Sequence, residues 1–149
     1  MNHLKSQTQF KKVMVIDDNH IDRYLAEVYM KMTSFAKEVV LKDSARSALK
    51  YLESLAGTPE ELPQLIFLDI RMPEMNGFEF LDVYENLPEI VKQRCIIMML
   101  TSSLDADDDV RASRNKFVNR FMHKPLNKTK LEELLSEITG PGIASKKVA

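Results

Sequence analysis

The chain has little cysteine and little glycine. Cys95 is the only cysteine among 149 residues, which excludes an internal disulfide framework and a zinc site built from several cysteines. None of the four glycines stands in a GxGxxG or Walker pattern, so the two commonest glycine-rich loops that hold nucleotide phosphates are absent. The sequence therefore argues against zinc held by several cysteines and against nucleotides bound by either of these two glycine-rich loops.

An excess of either charge and long apolar runs are also missing. Lysine plus arginine number 21 and aspartate plus glutamate number 22, a balance that argues against a general nucleic-acid binder. No apolar run approaches the roughly 18 residues of a membrane span, and residues 1–9 lack the apolar core of a secretory signal. We therefore expect a cytoplasmic protein that binds neither nucleic acid nor membranes.

What the sequence does contain is an alternation of short apolar runs and amphipathic segments. The apolar runs predict five strands, at residues 13–16, 39–41, 65–68, 95–100 and 117–122. Apolar residues at three- and four-residue steps predict five helices, at residues 21–32, 44–55, 78–84, 104–114 and 129–138. Strict alternation predicts an α/β fold: a doubly wound, flavodoxin-like parallel sheet of five strands with five helices on both faces.

The length of the chain fits a single domain. We expect this domain to occupy residues 11–139, between a flexible N-terminus of residues 1–10 and a C-terminal tail of residues 140–149. The tail is too short for a DNA-binding or enzymatic output domain. The sequence therefore predicts a protein that acts as a domain standing alone.

Polar residues follow four of the predicted strands at the point where each strand ends. These residues are Asp17 and Asp18, Asp69, Thr101, and Lys124. Because parallel strands bring their carboxyl ends to one edge of the sheet, we expect these side chains to form a cluster. Neighbouring carboxylates repel one another unless a cation intervenes, and Mg²⁺ accepts carboxylate oxygens as ligands. The cluster therefore predicts a Mg²⁺ site and a carboxylate arranged to accept a phosphoryl group.

The segments that carry this cluster resemble the receiver domain of response regulators, the phosphoacceptor half of two-component signalling. The matching segments are Val15-Ile16-Asp17-Asp18-Asn19, Leu68-Asp69-Ile70-Arg71-Met72-Pro73, Met99-Leu100-Thr101-Ser102 and Phe121-Met122-His123-Lys124-Pro125. The resemblance covers nearly the whole chain, and each segment follows an apolar strand. It implies a protein that is no classical enzyme and catalyses only its own phosphorylation and dephosphorylation.

The resemblance implies a role for each matching position. Asp69 is expected to be the phosphorylated residue. Asp18, Asp17, Asp69 and the backbone carbonyl of Arg71 are expected to hold Mg²⁺. Lys124 is expected to contact the phosphoryl oxygens, and its bond to the following proline is expected to be cis.

The resemblance also implies a switch. Thr101 is expected to move to hydrogen-bond the phosphoryl group, and Phe121 to swing inward when Thr101 moves. This change would alter the face formed by the fourth predicted helix, the fifth strand and the fifth predicted helix. Arg71 and Ser103 are expected to tune the lifetime of the phosphoryl adduct, because the equivalent positions flank the attacking water in similar domains.

Two further features are expected to serve the fold. Cys95, in a predicted strand, is expected to be a small core residue. The acidic run that opens the fourth predicted helix is expected to interact favourably with the positive end of the helix dipole. The members of this run are Asp105, Asp107, Asp108 and Asp109.

The sequence also leads to expectations about partners, and it leaves two alternative functions open. The resemblance implies a histidine kinase or a histidine phosphotransfer protein as phosphoryl donor and an unidentified downstream protein as target, and it leaves a weak dimer open.

Haloacid-dehalogenase-like phosphatases are an alternative, because they also use a strand-end aspartate, Mg²⁺, threonine and lysine. They need a second carboxylate two residues after the nucleophile, where this sequence has Arg71. A passive receiver-like interaction module is the other alternative.

Overall fold

The computed structural model of the chain describes residues 10–102 and 105–138. The strands are β1 (Phe10–Ile16), β2 (Ala36–Lys42), β3 (Leu65–Asp69), β4 (Ile96–Thr101) and β5 (Val118–His123). The α-helices are α1 (His20–Met32), α2 (Ala45–Ser54), α3 (Gly77–Tyr84), α4 (Glu89–Arg94), α5 (Ala106–Arg114) and α6 (Lys128–Ile138), and a 3₁₀ turn lies at Pro59–Glu61. Every predicted strand and helix is present, with bounds within three residues of the prediction.

The five strands form one sheet in which every neighbouring pair is parallel. The strand order is β2-β1-β3-β4-β5, so the chain first moves to one edge of the sheet and then crosses back past β1. This confirms the predicted doubly wound α/β fold. It also means that the carboxyl ends of β1, β3, β4 and β5 lie side by side at one edge of the sheet.

The described residues contain six α-helices, one more than the sequence predicted. The additional helix is α4, which begins after Pro88. The sequence analysis ended a predicted helix at residue 84 and predicted no other helix before the fourth strand, whereas the structure places Pro88 at the N-terminal cap of α4 with a φ of −52°. Proline fits there because the first turn of a helix leaves its backbone N–H groups without intrahelical acceptors, so the missing donor costs nothing.

Both faces of the sheet are covered by helices. Alternate residues of the central strands point to opposite faces, so Leu68 belongs to one cluster of buried side chains and Phe67 to the other. Helices α2, α3, α4 and α5 contribute buried side chains to the first cluster, and α1 and α6 contribute to the second. Cys95, just before β4, is buried in the first cluster, in agreement with its predicted place in the core. None of the described helices is long and apolar enough to cross a membrane.

The first strand begins earlier than its apolar pattern indicated. Phe10 lies in the segment predicted to be flexible, yet it is the first residue of β1, and its N–H donates to the carbonyl of Phe35 over 3.1 Å. Lys12 interrupts the apolar pattern of this strand, yet it is buried. Its charge is accommodated because its Nζ donates to the hydroxyl of Tyr51 over 2.9 Å. The rest of the two predicted terminal segments lies outside the described residues.

Candidate functional site

The predicted site residues converge at the carboxyl edge of the sheet. Asp17 and Asp18 directly follow β1, Asp69 is the last residue of β3, and Thr101 is the last residue of β4. Lys124 follows β5, and its N–H donates to the carbonyl of Thr101 over 2.8 Å. The parallel register thus brings together residues that are far apart in the sequence, as predicted.

Three carboxylates meet at the centre of this edge. Asp17, Asp18 and Asp69 each offer one carboxylate oxygen, and these oxygens all lie within 4.8 Å of one another. Asp17 and Asp69 are buried, whereas Asp18 is exposed. An all-oxygen cluster with one face open to solvent suits a hard divalent cation such as Mg²⁺, which retains several water ligands. These residues therefore fit the predicted metal.

The ammonium group of Lys124 lies against the same acids. Its Nζ is 2.6 Å from Oδ2 of Asp17, 2.9 Å from Oδ2 of Asp22 and 3.5 Å from Oδ1 of Asp69. Burial by itself lowers the pKa of Lys124, but the hydrogen bonds to Asp17 and Asp22 and the nearby negative charges outweigh burial and raise it. Lys124 is therefore a permanent cation beside the carboxylate of Asp69.

The carboxyl group of Asp69 is strongly perturbed. Burial and the neighbouring charges of Asp17 and Asp18 raise its pKa from 3.8 to about 7, although Lys124 acts to lower it. A divalent cation at the cluster would favour the ionised carboxylate, since opposite charge lowers a carboxyl pKa. The site thus holds a carboxylate whose negative charge depends on bound cations.

The residues of the predicted switch lie on β4 and β5. Thr101 is fully buried and lies opposite His123 in the β4–β5 register. Phe121 is half-buried at the margin of the core, and its ring meets the ring of His123 edge to face, with 5.3 Å between centroids. The bond between Lys124 and Pro125 is cis, as expected.

The two predicted tuning residues differ in what the structure shows of them. Arg71 lies in the segment that joins β3 to α3, and its guanidinium donates to the carboxylate of Asp108 on α5. Oδ2 of Asp105 lies 3.9 Å from the same guanidinium. Ser103 falls outside the described residues.

The sequence analysis missed three residues that shape the site. Asp22 binds Lys124, and Nη1 of Arg23 donates to the main-chain carbonyl of Asp17 over 2.7 Å. Gly77 allows the first turn of α3 to approach β3, because a Cβ atom at this position would lie 2.6 Å from the carbonyl oxygen of Asp69. Asp22 lies in the first turn of α1, a few residues after the acids that follow β1, and this nearness was the available signal for its role.

The chain matches the model of a known protein family. The profile described as the response regulator receiver domain matches residues 13–136. The chain belongs to the response-regulator receiver family. Receiver domains act in two-component signalling, are generally not classical enzymes, and interact with histidine kinases and phosphotransfer proteins.

Individual relatives support this assignment. Protein PilG of Pseudomonas aeruginosa is 30% identical over 135 residues, which cover 91% of this receiver and 90% of PilG. A crystal structure of a two-component response regulator from Cytophaga hutchinsonii is similar with a TM-score of 0.78 and 29% identity, covering 87% of this chain and 96% of that one. The Mn²⁺-bound form of response regulator Rcp1 has the same fold, with a TM-score of 0.66 and 21% identity over 93% of this chain and 99% of that one.

Proposed function

We propose that this receiver accepts a phosphoryl group on Asp69 from a histidine kinase or a histidine phosphotransfer protein. The observation that carries the proposal is the convergence of Asp17, Asp18 and Asp69 within 4.8 Å, with the ammonium group of Lys124 against two of them. A carboxylate oxygen of Asp69 would form the new bond to phosphorus. The bond from phosphorus to the donor nitrogen would break, and its electron pair would remain on the donor imidazole.

The proposed metal is Mg²⁺, held by Asp17, Asp18, Asp69 and the backbone carbonyl of Arg71. It would supply positive charge to the phosphoryl oxygens during transfer. Lys124 and the hydroxyl of Thr101 would donate to the same oxygens. The relative Rcp1, which has been solved with Mn²⁺, supports a divalent cation in this family.

Incubation with acetyl phosphate tests the proposal without a protein donor. The chain is expected to gain the mass of one phosphoryl group when Mg²⁺ is present and none when a chelator removes it. No adduct under either condition would favour the passive interaction module instead. The phosphatase alternative lacks its second carboxylate, because Arg71 occupies that position and its guanidinium pairs with Asp108.

The proposed output is a change of the surface built by α5, β5 and α6. Thr101 would move toward the new phosphoryl group, and Phe121 would then turn inward from its half-buried position. Phosphorylation would thus favour one of two packings of this surface and change its affinity for a downstream protein. We propose that this function is exerted in the cytoplasm.

The exposed apolar part of α1 is the proposed contact for the phosphoryl donor. Ile21 and Tyr24 are 56% and 62% exposed on α1. Leu25 on the same helix and Pro125 line a cleft together with Asp17 and Lys124. A phosphohistidine that approaches Asp69 along this cleft would bring the donor's surface over this rim, so apolar contacts here would hold the donor.

Replacing Tyr24 with alanine is expected to slow phosphotransfer from a purified histidine kinase by about tenfold, because an exposed aromatic anchor contributes on the order of 1–2 kcal/mol to an interface. Labelling by acetyl phosphate is expected to stay unchanged. Met32→Ala is the matched control, since Met32 is 60% exposed on the same helix at the far end from the site. Equal slowing by both variants would contradict the proposed contact.

Arg71 and Ser103 are the proposed determinants of adduct lifetime. Replacing Arg71 with alanine is expected to speed hydrolysis of the adduct about fivefold, because loss of the ion pair with Asp108 loosens the segment after Asp69 and admits water more easily to the phosphoryl group. Ser103→Ala is expected to change the rate as well. Intact-mass measurements over time after removal of acetyl phosphate give the rates, with Arg46→Ala, an exposed arginine on α2, as control. Rates equal to the wild-type rate in both variants would rule this role out.

A further inference from the structure

An ion pair links the segment after Asp69 to helix α5. Arg71 donates to Oδ2 of Asp108, and the two residues are 37 positions apart in the sequence. The side chain of Asp108 is 7% exposed, whereas the side chain of Arg71 is 56% exposed. The pair therefore joins a buried carboxylate to a guanidinium that remains largely in solvent.

The two partners depend on the pair to different degrees. A buried carboxylate is costly without a cation, so Asp108 requires Arg71. The exposed guanidinium of Arg71 would remain well solvated if Asp108 were absent. Loss of the Asp108 carboxylate would therefore leave the guanidinium with the weaker, exposed contact to Asp105, 3.9 Å away, and free to move, rather than create a buried unpaired charge.

A released guanidinium would lie close to the acidic cluster. Arg71 is two residues after Asp69, so their Cα atoms are separated by no more than about 7 Å, a distance that an arginine side chain can span. Asp17, Asp18 and Asp69 place three carboxylates within 4.8 Å of one another, and Asp18 is exposed on the open face. Such a cluster attracts any nearby cation, whether a metal ion or a guanidinium.

We propose that Asp108 is a positioning residue, which holds the guanidinium of Arg71 against α5 and so prevents it from competing with the divalent cation for the acidic cluster. The proposal rests on the metal site of the proposed function. It assigns to Asp108 a role in metal affinity, although its carboxylate takes no part in the cluster. Removal of Asp108 weakens metal binding only while Arg71 is present.

A second contact allows α5 to keep its place when the ion pair is removed. The guanidinium carbon of Arg111 lies 4.1 Å from the centre of the Phe78 ring, which joins α5 to α3. Ala112 on α5 is also fully buried in the core. Variants at Asp108 therefore retain other anchors for this helix, and thermal melting of each variant verifies the fold.

Calorimetric titration of the full chain with Mg²⁺ tests the proposal. Asp108→Ala is expected to weaken Mg²⁺ binding about fivefold, because a neighbouring cation now competes for the carboxylates. The double variant Asp108→Ala/Arg71→Gln is expected to restore the wild-type affinity, because the competing guanidinium is removed together with the carboxylate that held it. Asp107→Ala, which removes an exposed charge from the same turn, serves as control and is expected to match the wild type.

The outcomes separate this inference from the proposed function. Weakening by Asp108→Ala that persists without Arg71, or equal weakening by Asp107→Ala, would show a long-range charge effect and overturn the inference alone. Failure of the wild type to bind Mg²⁺ would overturn both proposals.

A second measurement needs no metal: the nuclear magnetic resonance signal of the Arg71 guanidinium, assigned by its loss in Arg71→Gln. This signal is expected to shift in Asp108→Asn, an isosteric variant, and an unchanged signal would contradict the proposed positioning.

Discussion

Replacing Asp69 with asparagine is expected to abolish the phosphoryl adduct formed from acetyl phosphate and Mg²⁺. Asparagine has nearly the same shape, but its amide lacks the negative charge and the nucleophilic oxygen pair of a carboxylate. Loss of a nucleophile that forms a covalent intermediate removes the reaction rather than slowing it. We expect a fall of at least about a thousandfold in the labelling rate, measured by intact mass.

Asp43→Asn is the matched control for this experiment. Asp43 directly follows β2 and is exposed, whereas Asp69 ends β3 and is buried. Both are aspartates at the carboxyl ends of parallel strands, but only Asp69 belongs to the group of three carboxylates. Full labelling of Asp43→Asn together with none in Asp69→Asn supports Asp69 as the acceptor. An adduct of normal yield in Asp69→Asn would end the proposed mechanism.

The same substitution is expected to stabilise the protein when no metal is bound. Burial and the charges of Asp17 and Asp18 raise the pKa of folded Asp69 to about 7, above its ordinary value of 3.8. The folded state therefore binds a proton that the unfolded state has already released between these two values. The free energy of unfolding must then fall as pH rises through this range, because protonation favours the folded state.

A pKa difference of this size corresponds to at most about 4 kcal/mol, and relaxation around the ionised group reduces it. We expect Asp69→Asn to raise the free energy of unfolding by about 1–3 kcal/mol near pH 8 and by much less near pH 4. Urea denaturation at several pH values, with a chelator present, measures the difference. Asp43→Asn is expected to change stability little at any pH.

Addition of Mg²⁺ provides a second check on this prediction. A cation that binds the folded carboxylates and not the unfolded chain stabilises the wild type by mass action. Asp69→Asn has lost one ligand and is expected to gain less. The difference in the free energy of unfolding between the two proteins near pH 8 should therefore become smaller or change sign when Mg²⁺ is added. A variant less stable than the wild type without metal would show that Asp69 serves the fold rather than the site.

The core of the site was predictable because its residues are encoded locally. Asp17 and Asp69 each follow a short run of apolar residues, and such a run predicts a buried strand wherever it occurs. Once the alternation of strands and helices predicts a parallel sheet, topology alone brings the strand ends together. Neither step requires knowledge of how side chains pack.

The extra helix and the charge pairs were not predictable in this way. Pro88 either ends one helix or begins the next, and the surrounding packing decides between these two uses. Asp108 was interpreted as a favourable charge at a helix N-terminus and not as an ion-pair partner, because Arg71 lies 37 residues away. Asp22 was overlooked for the same reason, since its partner Lys124 lies 102 residues away.

The sequence by itself determined the α/β topology, the sheet edge at which the acids meet and the residue types that line it. These properties depend on apolar periodicity and on which residue follows each strand, and both are local. Only the tertiary structure decided which acid each cation binds, and that Asp69 is buried deeply enough to raise its pKa. Ion pairing and burial depend on distances of a few ångströms between distant segments, which periodicity does not specify.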